Sequence, residues 1–367
     1  MIYNKTIYFI LILNIFCLKF FYSQEYTNLV IKTYPIDSLN SLEIINKYGD
    51  IIINNGDKDS IKIKAFLIIN ANNEQKLNKI KKDINFLFEL KKENHLSIKT
   101  NIGSSAKLIE NLFSTQNQIK QNYNIKITYY VFIPSLNNLE SINLETKYGD
   151  IFIENTKAKL NIKISHGSLI VKNIENESNL NIFSTNVCID RINQLQINAL
   201  YSDVEINKAK KLDIESRATR YNISNSNEII IKSHNDDISI NYLNSLNGDF
   251  KFSEITINKL NHDINCTLNY GKLRINQINK TVSLIYINSY FSDIDLLFPR
   301  DFVGAFIDVK YTKVSSINFT PDFCKVEERL LNTENELYLL FGKCGNSPET
   351  KININLTNKN SLSFIKK

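Results

Sequence analysis

The residues of this 367-residue sequence best able to do chemistry recur at one place in a repeat. An aromatic or imidazole ring stands at Tyr48, Tyr148, His166, Tyr201, Phe252, Tyr270, Phe291 and Tyr311, each three positions ahead of an expected inward-facing segment. Two positions further on, a carboxylate is frequent: Asp50, Asp150, Asp203, Asp237, Glu254 and Asp293. If successive units stack, the rings form a column that could pack on the flat faces of sugars. The carboxylates would then offer oxygens to a hard cation such as calcium. Both patterns also have plainer readings. Rings in a column stack on one another and cover a corner, and Asp at a corner makes turns by bonding to nearby backbone. Ser168, Asn186, Arg220, Lys272 and Lys313 interrupt the acids, and the glycine-rich calcium nonapeptide is absent. Turn chemistry is therefore the better account of the acids, and no metal is expected.

Catalysis needs more than acids in a row. A glycosidase requires two carboxylates at a set separation, and a lyase requires acids beside a base. Asp203, Asp236 and Asp237, with Arg220 between them and His234 and His262 nearby, are the nearest approach to such a cluster. Repeated surface charge produces clusters of this kind without function, and no Ser–His–Asp or zinc spacing occurs. The expectation is a non-catalytic protein that needs no cofactor. Net charge is +6, from 44 basic and 38 acidic residues, too mild an excess for a dedicated nucleic-acid binder.

The elements that would position these residues follow from the repeat. Lys147-Tyr148-Gly149-Asp150-Ile151-Phe152-Ile153 is its clearest form. The apolar pair returns as Leu169/Val171, Val187/Ile189, Val204/Ile206, Tyr221/Ile223, Ile238/Ile240, Ile255/Ile257 and Leu273/Ile275, at steps of 17 or 18 residues. Longer steps lead to Ile294/Leu296 and then to Val314. A second pair precedes each corner, as at Leu160/Ile162 and Leu212/Ile214, and a single apolar residue such as Ile192 or Leu260 supplies a third contact. Strict alternation with β-branched residues means strands buried on one face. No unit of this size can bury a core alone, so the units must stack. The expected fold is all-β: a parallel, right-handed β-helix with rungs of about 17–18 residues rising ~4.8 Å each.

Four segments result. Residues 1–24, with Lys5, an apolar run from Ile7 to Phe21, Cys17 and Lys19, read as a signal peptide. Residues 25–135 read as an α+β cap holding an early Lys47-Tyr48-Gly49-Asp50 copy, a helix at about 72–90 and a polar insertion at 102–123, and closing at Pro134. Residues 136–317 carry the rungs, and residues 318–367 an irregular insertion and a closing rung at Ile352–Leu356 and Leu362/Phe364. Cys324 and Cys344 share that insertion and could pair in an oxidising compartment, whereas Cys188 and Cys266 read as small buried residues. After removal of the leader no apolar run is long enough to span a bilayer.

The Tyr-Gly-Asp-Ile corners, the helix after the first copy, the Ile133-Pro134 ending of the cap and the rungs together resemble the putative adhesin family of β-strand-repeat proteins, a domain of unknown function common in Bacteroidetes envelopes. Ser184-Thr185-Asn186, Ala218-Thr219-Arg220 and Asn235-Asp236-Asp237 depart from the corner motif. The resemblance implies surface attachment, with no ligand established, and it assigns no functional residue; with the signal peptide, the expectation is an exported protein at the cell surface or in the periplasm whose work is contact with glycans, matrix or other envelope proteins. A periplasmic structural or envelope-sensing component is the alternative, and a polysaccharide lyase or hydrolase comes third.

Overall fold

The computed structural model describes residues 24–57, 59–103, 123–134 and 139–367. The expected signal peptide, apart from Gln24, and residues 104–122 of the expected insertion lie outside the described residues. The described chain is all-β with one α-helix, and its 26 strands belong to one long mixed sheet.

Parallel pairing dominates the middle. Asn186–Leu200, Asp203–Arg217, Arg220–His234, Asp237–Lys251 and Glu254–Asn269 lie side by side. Val187 faces Val204, Val204 faces Tyr221, and Tyr221 faces Ile238. The register slips by one residue past Leu243, where Ser245 faces Asp263. Two residues alone join each strand to the next, as at Tyr201-Ser202 and Ala218-Thr219. An extended chain of that length would end roughly 50 Å from its start, and two residues cannot bring it back to lie parallel. Each strand must therefore fold round within its own length.

Burial shows where it bends. In Asp203–Arg217 the buried apolar residues are Val204, Ile206, Ala209, Leu212 and Ile214. Alternation breaks by one residue on either side of Ala209, so three faces of the strand point into one core. Ile192, Leu243, Leu260 and Ile278 are buried at the same place in neighbouring strands.

The two ends depart from sequence order. Ser41–Tyr48 and Ile51–Gly56 pair in parallel with Ser141–Tyr148 and Ile151–Thr156, a hundred residues later. On their other side they pair with His95–Ile102 and Tyr123–Pro134. The first Tyr-Gly-Asp copy is thus interior to the stack. Ser60–Ala71 runs antiparallel to Tyr123–Pro134, and Gln24–Pro35 antiparallel to Ser60–Ala71. At the other end, Thr350–Thr357 and Ser361–Lys366 lie between Leu284–Phe298 and the later-stacked Gly304–Thr312 and Ser316–Phe319. The expected closing rung is therefore next to last in the stack.

Three other expectations are corrected. The helix spans Glu74–Asp83 alone, with the Asn73 side chain accepting from the Lys76 amide and Leu77 and Ile80 buried. Ile84–Lys91, read as its continuation, is a strand antiparallel to His95–Ile102. Its Ile84, Phe86 and Phe88 turn inward at period two, and Leu87 and Leu90 stay exposed. The segment read as irregular forms an antiparallel hairpin of Cys324–Asn332 and Leu337–Gly345, with Cys324 opposite Cys344 and joined to it by a disulfide. Val314 is exposed in a turn, and Ile307, Val309, Ile317 and Phe319 make the inward contacts of that rung.

Where Tyr48-Gly49 stacks on Tyr148-Gly149 the backbones touch. A Cβ added at Gly149 would collide with the Gly49 carbonyl, and one at Gly167 with the Gly149 carbonyl. Gly149→Ala should therefore lower stability in urea denaturation by more than about 2 kcal/mol, since only a backbone shift in both strands could relieve the clash.

Candidate functional site

From His166 onward most corners of the parallel stack are built from two residues with opposite needs. The first takes the left-handed conformation: φ is 55° at His166, 50° at Ser184, 52° at Tyr201, 51° at Ala218, 59° at Asn235, 54° at Phe252 and Tyr270, and 49° at Phe291. The second is small, polar and buried: Thr185, Ser202, Thr219, Asp236, Ser253 and Ser292. Its amide has no place in either flanking strand and donates to the side-chain oxygen of the next corner. The Thr185 amide reaches Ser202 Oγ at 3.2 Å, the Thr219 amide Asp236 Oδ1 at 2.8 Å, and the Asp236 amide Ser253 Oγ at 3.1 Å. The hydroxyls in turn donate back to the carbonyl two residues earlier, as Ser202 does to Leu200. A ladder of hydroxyls thus satisfies buried amides that would each cost about 1–3 kcal/mol unpaired.

At His166, Tyr201, Phe252, Tyr270 and Phe291 the left-handed residue carries the ring, whereas Tyr48 and Tyr148 carry theirs on backbone of negative φ. Tyr48 stacks on Tyr148 at 5.8 Å, and Tyr148 on His166 at 5.3 Å. Phe183, one residue before its corner, bridges His166 to Tyr201 edge-on. Phe252, Tyr270 and Phe291 form a second stack at 5.2 and 5.4 Å. Tyr290 lies edge-on to both Tyr270 and Phe291, and its hydrogen bond to Tyr270 raises the pKa of that phenol. Tyr311 does not belong to the column. It lies within Gly304–Thr312 and stacks on Tyr338 of the hairpin, because the corner of that rung falls after the strand.

Left-handed backbone suits Gly and Asn, and costs other residues of order 1–3 kcal/mol. The fold itself uses Asn at Asn235 and Asn358. At the rings the strain is not offset by burial, since Tyr201 is 57% exposed, Phe252 47%, Tyr270 46% and Phe291 41%. Stacking returns about 0.5–1.5 kcal/mol per pair, which covers part of the cost within a stack and less at its ends.

The acidic positions mostly serve the turns. The Asp150 amide donates to Asp50, and the Ser168 amide and hydroxyl donate to Asp150, both at 2.7 Å. Lys126 pairs with Asp50 at 2.8 Å. Asp293 lies in register between Lys272 and Ser361. Arg220 is held by Asp203 at 3.2 Å and by Asp237 at 3.9 Å, all three well exposed. Asp236, placed with them by the sequence, points the other way. It is buried, and it accepts from the Ser216 hydroxyl at 2.6 Å, the Ser233 hydroxyl at 2.7 Å, and the Thr219 and His234 amides. His262 pairs with its neighbour Asp263, away from this group. Among the described residues no three His, Cys, Asp or Glu side chains gather to hold a metal.

Cys266 is buried, and its thiol is pushed up to about 12 by that burial. Cys188 is exposed, contrary to expectation, because its position in the strand alternates outward between Val187 and Ile189. Partial desolvation, with Glu205 and Asp190 nearby, raises its thiol pKa, which keeps it a poor nucleophile.

Two features escaped the sequence reading. Asparagine amides link successive rungs outside the core, from Asn179 to Asn161 to Asn143, and from Asn279 to Asn261 to Asn244. Asparagines spaced by 17 or 18 were the available signal. The ring column is also broken at Ala218 and Asn235, and there a cavity of about 380 Å³ opens against Tyr201, Arg220 and Asp237. Asp203 and Arg220 separate it from a second cavity of about 410 Å³ that runs past Ile170 and Cys188.

No family model matches the sequence, and no curated protein matches it. Solved structures do show some likeness. A "putative adhesin" from Bacteroides fragilis NCTC 9343 is 14% identical at a TM-score of 0.35, covering 73% of this chain and 96% of its own. A "putative cell adhesion protein" from Clostridium sporogenes ATCC 15579 is 10% identical at 0.21, covering 93% and 100%. A "putative lipid binding protein" from Parabacteroides distasonis ATCC 8503 is 12% identical at 0.34, covering 73% and 96%. Scores this low transfer neither function nor site to the present chain.

Asp236 should behave as a rung of the hydroxyl ladder. Asp236→Ser keeps an acceptor for the Thr219 amide but cannot accept from all four donors, and should cost about 1–3 kcal/mol. Asp236→Leu strands four donors and should cost more than about 3 kcal/mol in urea denaturation.

Proposed function

We propose that this chain is an exported, adhesin-like protein of the cell envelope that binds glycans on the ring-bearing edge of a right-handed β-helix and catalyses no reaction. The observation that carries the reading is the set of rings at Tyr201, Phe252, Tyr270 and Phe291. They are exposed, and each sits on a backbone conformation that a smaller residue would take at lower cost. Stability alone favours Asn or Gly there, so the rings are explained by what they touch outside the protein. Stacked face to face, Phe252, Tyr270 and Phe291 present a continuous apolar edge on which the C–H face of a sugar ring can lie, and the Asn and Ser side chains around it suit hydroxyls. The parallel register of the middle strands supports rungs of 17 or 18 residues, and the bias of parallel crossovers supports the right-handed sense.

Export is supported by the basic and then apolar amino terminus, and by a disulfide, which persists in oxidising compartments. A binding rather than catalytic role is supported by the occupation of the acids. Asp236 is enclosed by donors, and Asp203 and Asp237 are neutralised on Arg220.

The test separates binding from stability. Tyr201→Asn with Tyr270→Asn should leave the melting temperature unchanged or higher, because Asn relieves left-handed strain. It should also weaken saturable binding to an immobilised glycan panel at least tenfold. Equal loss of stability and binding would mean that the rings merely hold the corner together. On intact cells, added protease should cleave the chain while a periplasmic marker survives; protection until lysis would place it inside the outer membrane.

A further inference from the structure

The break in the ring column coincides with other departures from the repeat on the same two rungs. Ala218 and Asn235 stand where Tyr201 and Phe252 carry rings; His234, one residue before Asn235, meets Phe252 edge-on at 5.7 Å as Phe183 meets Tyr201 beside Ser184, so the rung left without a ring is that of Ala218. Inside the corner, where Ile164, Ile182, Ala199, Phe250 and Leu268 fill neighbouring rungs, these two carry Ser216 and Ser233. The hydroxyl ladder carries Asp236 there in place of a hydroxyl, and the acidic position carries Arg220 in place of an acid. The inward serine recurs at Ser289, and other rungs also lack the acid, but among the described residues no other corner holds a buried carboxylate. A random loss of the motif would not place a buried carboxylate beneath the corner, fully bonded to Ser216, Ser233 and two amides.

The consequence is a shaped recess. Tyr201 is 57% exposed, and its ring partner, Phe183, lies on the side away from Ala218. Asn235 is exposed at the floor, and Arg220 is fixed between Asp203 and Asp237 at the rim. Asp236 holds the floor still by accepting the Thr219 amide at 2.8 Å. The recess of about 380 Å³ meets the neighbouring cavity of about 410 Å³ at the Asp203–Arg220 pair, so one groove runs from Tyr201 across the rim to the exposed Ile170.

We infer that the gap over Ala218 and Asn235 is a subsite for a neutral pyranose, seated on Tyr201, with the rest of an oligosaccharide crossing Arg220 toward Ile170. The apolar face of a pyranose covers a tyrosine ring, and its edge hydroxyls meet Asn235, Arg220 and Asp237, which together supply donors and acceptors in the alternation that vicinal hydroxyls need. Charge selects against acidic sugars. Asp203, Glu205 and Asp237 line the groove against the single guanidinium of Arg220, and Asp236 adds a carboxylate below. This inference rests on the glycan-binding reading and narrows it to one place and one class of sugar.

The experiment fills the gap. Ala218→Tyr places a ring at a position whose backbone already matches that of Tyr201 and Phe252, completing the column. Arg220→Gln removes the guanidinium at an exposed site without touching the core. The probes are neutral hexasaccharides of glucose, xylose, mannose and N-acetylglucosamine, with polygalacturonate as the acidic counterpart. Binding is read by calorimetry and by tyrosine emission, which no tryptophan obscures in this chain. Wild type should bind at least one neutral probe and not the polyuronate, and each variant should weaken that binding at least tenfold while keeping its melting temperature. Wild-type affinity in a folded Ala218→Tyr or in Arg220→Gln would overturn the subsite. If the Tyr201→Asn, Tyr270→Asn double variant still lost binding, the ring column would stand without the gap. A wild type that bound none of the neutral probes would remove both proposals, and preference for polygalacturonate would overturn the neutral-sugar assignment.

Discussion

The parallel stack depends on satisfying one buried amide per corner. Where the chain turns from one wall to the next, the second corner residue points its N–H along the stack, out of reach of either strand's ladder. The oxygen of Ser202, Thr219, Asp236 or Ser253 lies one rung away and accepts it. This arrangement works only if successive corners superpose. They do so even where the chain between them is longer, since the Gly271 amide reaches Ser292 Oγ at 3.0 Å across 21 residues and the Ser292 amide reaches Asn360 Oδ1 at 3.0 Å. A corner out of place would move an acceptor off its amide, and a buried donor costs more unpaired than a single paired bond contributes.

Placing the hydroxyl inward obliges the residue before it to adopt positive φ, and so the ring column sits on the costliest backbone in the molecule. The two features are mechanically joined. A corner that turns sharply enough to hide Ser253 necessarily throws the side chain of Phe252 outward, with its ring free to meet the ring one rung away. Exposure of the column is thus built into the turn rather than left over from packing. The fold would be satisfied with Asn at that position, as it is at Asn235 and Asn358.

The walls were legible in the sequence because burial on one face forces period-two alternation, which survives whatever amino-acid bias the chain carries. The third inward contact at Ile192 or Leu260 was legible for the same reason. The stacking order at the ends was not, because nothing local records that Tyr48 meets Tyr148 across a hundred residues, or that Thr350–Lys366 slips inside Gly304–Phe319. Leu77, Ile80, Ile84, Leu87 and Phe88 satisfy a helical spacing, and pairing with His95–Ile102 decided the last three for a strand. Tyr311 matched the column by counting back from Val314, but that corner lies after Thr312. At the site, the rings and acids were named from spacing alone, whereas their left-handed backbone was hidden, since aromatic residues carry no preference for it. Ala218 and Asn235 were visible as departures from the motif, with nothing in the sequence to give them a meaning. Their meaning emerges only when Ser216, Ser233 and Asp236 are seen directly beneath them.

Both ends of the stack solve the problem of an open edge by the same device. A rung near each terminus of the described chain is interior to the stack, and a rung distant from that terminus is laid outside it. Ser41–Gly56 is held on two sides, as is Thr350–Lys366, so fraying from either terminus must break parallel ladders on both faces at once. The outer rungs then pass the edge to antiparallel strands: Gln24–Pro35 by way of Ser60–Ala71, and the disulfide-closed hairpin by way of Gly304–Thr312. Antiparallel pairing changes the hydrogen-bond spacing from that of the parallel stack, so another copy of the repeat cannot continue the ladder in register. A parallel repeat whose strands all match one another is the arrangement most able to recruit its own kind. Ending it in strands that do not match removes the in-register edge that such recruitment would need.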